Sequence, residues 1–439
     1  MSDDNNLGSP VSWRSEIESD DNNIGSPVSW RSEIESDDEE CGSLMEIITN
    51  EDLSQFEKEI NKNMDEYLLT NMIELSNPQW KEKPTTMIVD MIFEAISTIY
   101  TVNDYDSAYD ETEKFVHECI EGYIRKSMTP PRSYTMGYKC TNINKDNITI
   151  ESQIEHLRNA IQPQQRTKEW YEFRHNLLTA SDASKVLGSE SKKNNLIYEK
   201  CQPLSSNDLF NRNDVNVNSP MHWGNKYEPI SIMIYENMFR TKIEDFGCIR
   251  HSKLTCLGAS PDGINIDKDN DLYGRMIEVK NIVNREITGI PLEAYWIQMQ
   301  IQMEVCDLDE CDFIETRIKE YDDIEQFYGD DREYSGIILY FVSKIEIGNK
   351  PHYVYLPLKR EKDYHGINLM IERQVADLSA DFSLYTVLYW YLDEISCVLV
   401  KRNKEWFSSM KPLVKSTWET IEKERISGYE HRKPKSRKA

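Results

Sequence analysis

The sequence predicts an α/β fold, a mixed sheet flanked by helices with helical additions at both ends. Three observations lead there. Residues 151–360 alternate short β-type runs with helical patterns, and the segments on either side repeat apolar residues at helical spacing. The 439 residues are 39% hydrophobic and 10% aromatic, enough for at least one substantial core. No run of about 18 apolar residues appears, so no membrane span is expected, and the acidic, polar N-terminus argues against a signal peptide. The nine cysteines are odd in number and scattered, which fits an intracellular, reducing compartment. Cys306 and Cys311 are the closest pair, without a second pair to complete a zinc or iron–sulfur site.

Taken in order, residues 1–42 read as a disordered acidic tail. Residues 2–18 return as 19–35 with Leu7 replaced by Ile24, and two units of this length cannot stack into a core. The first 40 residues carry twelve acids and two arginines, so −10 of the net −26 lies there. That balance speaks against a generally basic, nucleic-acid-coating surface and leaves room for a local track only. Residues 43–128 read as a helical domain, with Phe56, Ile60, Met64 and Leu68 on one face and Phe115, Cys119, Ile120, Tyr123 and Ile124 on another. Residues 129–150 read as a linker.

The core is expected over 151–360: a helix at 169–187, a polar loop at 189–220, and a helix at 228–239. Strands follow at 243–251, 254–265 and 275–281, then a helix at 292–306 and further strands at 313–318, 337–342 and 352–358. Residues 361–427 read as a C-terminal helical region, with Trp390, Trp406 and Trp418 packing inward. Residues 428–439 form a basic tail with five Lys and Arg from His431 onward.

Chemistry concentrates between Ser260 and Lys280. Ser260-Pro261-Asp262-Gly263 places an aspartate at a tight turn, and Glu278-Val279-Lys280 follows on a β-type run. Alternation puts Glu278 and Lys280 on one face and Val279 on the other. Two carboxylates suit a hard cation such as Mg²⁺, which keeps several waters. A neighbouring lysine can steady or deprotonate an attacking water, or neutralise charge growing on a phosphate.

Further blocks surround this one. In Trp170-Tyr171-Glu172-Phe173-Arg174 the arginine stands beside an apolar seam, and Thr179 or Ser181 is a natural helix cap. An arginine with a helix N-terminus suits a phosphate. Trp223-Gly224-Asn225-Lys226-Tyr227-Glu228 offers a third carboxylate in Glu228. Gln298-Met299-Gln300-Ile301-Gln302 sets three amides among apolar residues. Gln298 and Gln302 share a helix face and Gln300 points elsewhere, so only one set can line a site.

Together these blocks resemble the PD-(D/E)XK nuclease fold. The segment from about Gln165 to Glu310 is similar to the phage lambda exonuclease and YqaJ viral recombinase family, and the helical extensions with a Trp390-to-Phe407 segment additionally resemble the long YqaJ-like proteins of giant DNA viruses. The resemblance implies a restriction-endonuclease-like core, with Asp262, Glu278 and the Val279 carbonyl as Mg²⁺ ligands (Mn²⁺ as a substitute) and Glu228 joining the same or a second ion. It implies that Lys280 acts on the nucleophilic water, with Gln300 orienting the water or the lysine and Gln298 beside the DNA. Arg174 and Ser181 would hold a 5′-phosphate. The implied activity is 5′-to-3′ trimming of linear double-stranded DNA in viral recombination, repair or genome processing. The implied partners are DNA ends, with a single-strand annealing protein and further copies of the chain as candidates. The expected location is the host cytoplasm at the site of viral replication, with the nucleus as the alternative. A structure-specific endonuclease on the same core is the second reading. A non-catalytic DNA-binding protein is the third, against which the intact Asp262, Glu278 and Lys280 set argues.

Overall fold

The computed structural model describes residues 43–126, 133, 147–165, 167–204, 216–217, 219–345, 350–358 and 363–434. The tandem repeat, most of the expected linker, residues 205–215 and the last five residues lie outside them.

The N-terminal segment is helical, as its spacing predicts: α1 (Leu44–Ile47), α2 (Asn50–Asn71), a 3₁₀ turn (Met72–Ser76), α3 (Glu82–Ile99) and α4 (Tyr105–Lys126). Thr49 caps α2 by accepting from the Asp52 N–H at 3.2 Å. The stripe Phe56, Ile60, Met64 and Leu68 buries against Ile88, Ile92 and Ile96 of α3 and Val116 and Ile120 of α4. Helix α5 (Asn147–Asn159) starts inside the expected linker and is sealed by Ile150, Ile154 and Leu157.

The expected helix at 169–187 is broken in two. Helix α6 (Lys168–His175) ends at Asn176, β1 (Leu178–Thr179) follows, and α7 (Ala180–Leu187) resumes. The break has a cause: Leu178 and Thr179 are drawn into parallel pairing with residues 257 and 258, which buries Leu177 and Leu178 completely. Part of the expected polar loop is also a helix, α8 (Glu190–Cys201), whose apolar edge of Leu196, Ile197 and Cys201 is buried. Helix α9 (Pro220–Phe239) begins earlier than expected because Ser219 caps it, accepting from the His222 N–H at 3.1 Å, and Pro220 fits its first turn.

Strands β2 (Ile243–Glu244), β3 (Ile249–Arg250), β4 (Leu257–Ala259), β5 (Gly263–Asn265) and β6 (Met276–Asn281) lead to helix α10 (Glu293–Cys306). Then come β7 (Glu310–Glu320), α11 (Ile324–Gly329), β8 (Ser335–Ser343), β9 (Pro351–Tyr355), α12 (Tyr364–Leu378), β10 (Phe382–Lys401) and α13 (Lys404–Ser427). Among the described residues one sheet runs β2-β5-β6-β7-β10-β8-β9 and a smaller one β1-β4-β3. In the larger sheet only β6 and β7 pair in parallel, and α10 is the crossover between them.

Strand β10 overturns the expectation of a wholly helical 361–427 region. It lies in the middle of the sheet, pairing Val398 with Phe313 of β7 and Leu388 with Ile338 of β8. Its Tyr, Trp, Val, Leu and Ile content suits a pleated strand, and its last part, Cys397 to Val400, is buried on both faces. Trp390 is fully buried over Gly336, where a Cβ would stand 2.7 Å from the indole Cζ2, so that position accepts only glycine. Trp406 and Trp418 do pack inward, from α13.

The faces of the sheet differ. Tyr235 of α9 packs with Ile277, Val279, Ile314 and Cys397 on one side. Met299 of α10 and Trp406 of α13 share a core with Met276, Phe313 and Val398 on the other. Alternation along β6 therefore gives Glu278 and Lys280 to the α10 side.

Candidate active site

Asp262 sits in the gap between β4 and β5, where the chain must pass close to β2. A Cβ on Gly263 would overlap the Ile243 side chain, which is why glycine follows the aspartate. Asp262 Oδ2 accepts from the Val279 N–H at 2.7 Å, so the loop is bolted to β6 beside Glu278.

Glu278 has no exposed surface, and such a carboxylate needs donors. Its Oε1 accepts from the Lys280 ammonium and from Gln298 Nε2 at 2.7 Å. Its Oε2 accepts from Gln302 Nε2 at 2.7 Å. The same Gln302 amide donates to the Ser260 carbonyl at 3.0 Å, tying α10 to the aspartate loop. Lys280 Nζ also lies 3.3 Å from the Val279 carbonyl and 5.2 Å from the centre of the Tyr295 ring.

The electrostatics follow from this crowding. Burial pushes the Asp262 carboxyl well above the usual carboxylate range, and the neighbouring charges of Glu278 and Glu228 push the same way, against Lys280 and the Val279 N–H. For Lys280, burial acts to lower the ammonium, but Glu278 and Asp262 outweigh it and hold it above the ordinary lysine range. In this arrangement Lys280 is a protonated donor.

Glu228, on α9, is half-buried and near enough to Asp262 to act on its charge. Among the described residues no three His, Cys, Asp or Glu side chains converge at metal-ligand spacing. Asp262 and Glu278 thus form a pair, with Glu228 as a more distant third. The donor set still fits a hard cation: two mutually repelling carboxylates with a backbone carbonyl between them, all oxygen. The Lys280 ammonium already rests on the two oxygens, Glu278 Oε1 and Val279 O, that a divalent ion would use.

Gln300 is a correction. Its amide does not face Glu278; Nε2 donates to the Lys401 carbonyl at 2.9 Å and Oε1 accepts from the Asn403 N–H at 2.7 Å. It fastens α10 to the junction of β10 and α13, while Gln298 and Gln302 line the site. Gln300→Ala would take its acceptor from the buried Asn403 N–H, a loss of about 1–3 kcal/mol, and its donor from the Lys401 carbonyl. The expected result is a lower unfolding midpoint with an unchanged turnover per folded molecule, checked by thermal denaturation alongside active-site titration. A selective fall in turnover would return Gln300 to the site.

Arg174 stacks on the Trp170 indole, 4.7 Å from its centre. The buried Cys248 thiol stands beside both the Arg174 guanidinium and the Ser260 hydroxyl, so Arg174 adjoins the start of the aspartate loop. The Ser260 hydroxyl is buried with no oxygen or nitrogen partner. Ser181 lies in the first turn of α7, its Oγ 3.0 Å from Thr179 Oγ1, and Thr179 pairs with Gly258 of β4, two residues before Ser260. The parallel pairing of β1 with β4 sets Ser181 and Asp262, which follow those strands, at the same end of the smaller sheet, and Arg174 of α6 adjoins that end beside Cys248.

Sequence reasoning passed over several neighbours. Glu315 is 1% exposed and stands opposite Lys280 in the β6–β7 register, bonded to Arg285. Exposed Arg250 lies over the Phe173 ring at 5.1 Å. Lys200 pairs with Asp182 at 3.1 Å close to Arg174. None carries a motif, and only the strand period, which sets 313, 315 and 317 on one face, could have marked Glu315.

An α/β core with paired carboxylates and a lysine on adjacent elements is thus in place between α9 and α10. Residues 169–309 match the model of the YqaJ-like viral recombinase domain. Among curated proteins the chain is similar to the uncharacterized protein R354 of Acanthamoeba polyphaga mimivirus, 29% identical over 319 residues, covering 62% of this chain and 55% of that protein. The chain spans about half the length of that relative. Among solved structures it is similar to the alkaline exonuclease LHK-Exo from Laribacter hongkongensis, at 20% identity and a TM-score of 0.34, covering 60% of this chain and 95% of that one. LHK-Exo in complex with dAMP gives 19% identity and a TM-score of 0.35 over the same shares. No helix among the described residues is long and apolar enough to cross a membrane.

Proposed function

We propose that the chain is a Mg²⁺-dependent deoxyribonuclease that trims the 5′-ended strand of linear double-stranded DNA. The observation that carries this reading is the junction of two groups: the Asp262, Glu278 and Lys280 cluster, and Arg174 near the start of the same loop, with Ser181 next to Thr179, which pairs with the strand leading into that loop. The match of residues 169–309 to the YqaJ-like viral recombinase domain supports it.

Asp262, Glu278 and the Val279 carbonyl would hold the metal, with Glu228 nearby. The ion would activate water and offset charge on the phosphate. Gln298 and Gln302 fix the Glu278 carboxylate in one orientation, which preorganises its oxygens. Lys280 holds a proton and donates, so its part is to orient the water or to meet charge on a phosphate oxygen. Arg174 and the first turn of α7 suit a terminal phosphate. The match to a viral recombinase domain supports a role in viral DNA recombination or genome processing, where the 3′-ended strand left behind suits a single-strand annealing partner.

The test is digestion of end-labelled duplex with Mg²⁺ or with a chelator, comparing 5′-phosphate ends, 5′-hydroxyl ends and closed circles. Phosphorylated linear DNA should be cut fastest and circles spared; equal cutting of circles would make it an endonuclease. Arg174→Ala should slow phosphorylated ends by about 10- to 100-fold, the worth of a charge-assisted hydrogen bond, and leave hydroxyl ends nearly unchanged. An equal effect on both would remove the phosphate pocket.

A further inference from the structure

We infer that Arg425, on the C-terminal helix α13, is a positioning residue that sets the geometry of the Arg174 and Ser181 pocket. This rests on the reading of that pocket as a terminal-phosphate site. Arg425 lies far outside the segment matched to the recombinase domain.

The guanidinium is used almost completely. Nη2 donates to the His175 carbonyl at 2.8 Å and to the Lys200 carbonyl at 2.8 Å. Nε donates to the same Lys200 carbonyl at 3.0 Å, and Nη1 to Asn176 Oδ1 at 3.0 Å. Its flat face lies 5.3 Å from the centre of the Trp418 ring on its own helix. The two carbonyls belong to the last turns of α6 and α8, where a helix leaves acceptors unpaired and favours a cation. One side chain thus joins the C-terminal ends of two helices to a third.

Those ends carry the pocket. His175 and Asn176 immediately follow Arg174. Lys200 Nζ reaches back to the Arg174 carbonyl at 3.2 Å and pairs with Asp182 Oδ2 at 3.1 Å, with both side chains less than one-fifth exposed. Asp182 Oδ2 accepts from Thr179 Oγ1 at 2.9 Å, and Thr179 Oγ1 lies 3.0 Å from the Ser181 hydroxyl. Arg425 therefore governs both walls, Arg174 directly through α6 and Ser181 through Lys200 and Asp182. A fork of fixed geometry is needed for three acceptors in different directions, and a lysine supplies only a point charge.

The experiment uses the full chain with Arg425→Lys and, separately, Asn176→Ala, which removes one acceptor at an exposed helix end. KM and kcat are measured on linear duplex with 5′-phosphate and with 5′-hydroxyl ends, with Arg174→Ala alongside. Arg425→Lys should raise KM for phosphorylated ends about tenfold, within the range expected when a charged hydrogen bond is misplaced. Its kcat and its rate on hydroxyl ends should stay within about twofold of the unmodified chain. Asn176→Ala should move the same ratio in the same direction by less, and it decides the matter if the lysine variant does not fold. Equal losses on both ends, or no change in their ratio, overturn the inference. If Arg174→Ala is selective for phosphorylated ends and the Arg425 and Asn176 variants are not, only the inference falls. If Arg174→Ala is itself unselective, the pocket reading falls and takes the inference with it.

Discussion

Lys280→Ala is expected to lose hydrolysis by about 10²- to 10⁴-fold, the usual worth of a positioned proton donor or acceptor, while DNA affinity stays close to that of the unmodified chain. The ammonium rests on Glu278 Oε1 and the Val279 carbonyl, so its removal also leaves a fully buried carboxylate with one cationic partner fewer. Breaking a buried pair in this way costs about 3–5 kcal/mol when nothing replaces the lost charge. Gln298 and Gln302 still donate to Glu278 and offset part of that. Added Mg²⁺ offers a replacement charge on the same oxygens. The variant should therefore unfold at a lower temperature than the unmodified chain without metal, and recover most of the difference with it. Thermal denaturation at several Mg²⁺ concentrations, beside single-turnover cleavage, reads both effects. A midpoint that stays low at saturating Mg²⁺ would make Lys280 a structural residue.

The second large effect is Asp262→Asn, where activity and stability should move in opposite directions. The amide oxygen can still accept from the Val279 N–H, so the loop remains bolted to β6. What disappears is a crowded negative charge that burial, Glu278 and Glu228 all oppose. Because the folded carboxyl titrates above its unfolded value, its favourable share of stability is full below the ordinary carboxylate range and is lost as pH rises through the raised value. At neutral pH without metal, the asparagine variant should thus be more stable by on the order of 1 kcal/mol. That advantage should shrink on acidification. Cleavage should fall about 10³-fold, since several kcal/mol of charge stabilisation is lost with the ligand. A metal-free midpoint lower than that of the unmodified chain would show that the carboxylates do not repel as described.

Much of the site was legible because it is local. The two-residue period of β6 puts Glu278 and Lys280 together, and the turn at Ser260–Gly263 needs only its own residues to be recognised. Helical spacing separated Gln298 and Gln302 from Gln300, but it could not say which face looks at the carboxylates. Helix α10 buries both faces, and the backbone that claims Gln300 is a hundred positions away, at Lys401 and Asn403. Strand β10 was hidden for a related reason. A long run apolar on both faces has no period to distinguish a central strand from a buried helix, and only its β-branched and aromatic content pointed the right way. The split at Leu178–Thr179 was invisible because its partner, β4, sets the strand conformation. Lys200 and Arg425 carry no motif, since their work is done on backbone carbonyls that every sequence possesses.

The central place of β10 has a consequence for how the molecule comes into being. A ribosome delivers β7 and β8 before the strand that must lie between them, so both wait with open hydrogen-bonding edges. Pairings so distant along the chain close slowly, and edges left open meanwhile invite wrong partners. Helix α10 likewise waits for Lys401 and Asn403 to secure it above the carboxylates. The cluster around Glu278 is therefore finished only once Lys401 and Asn403 have been made, and a chain stopped before them carries its ligands without the architecture that arms them.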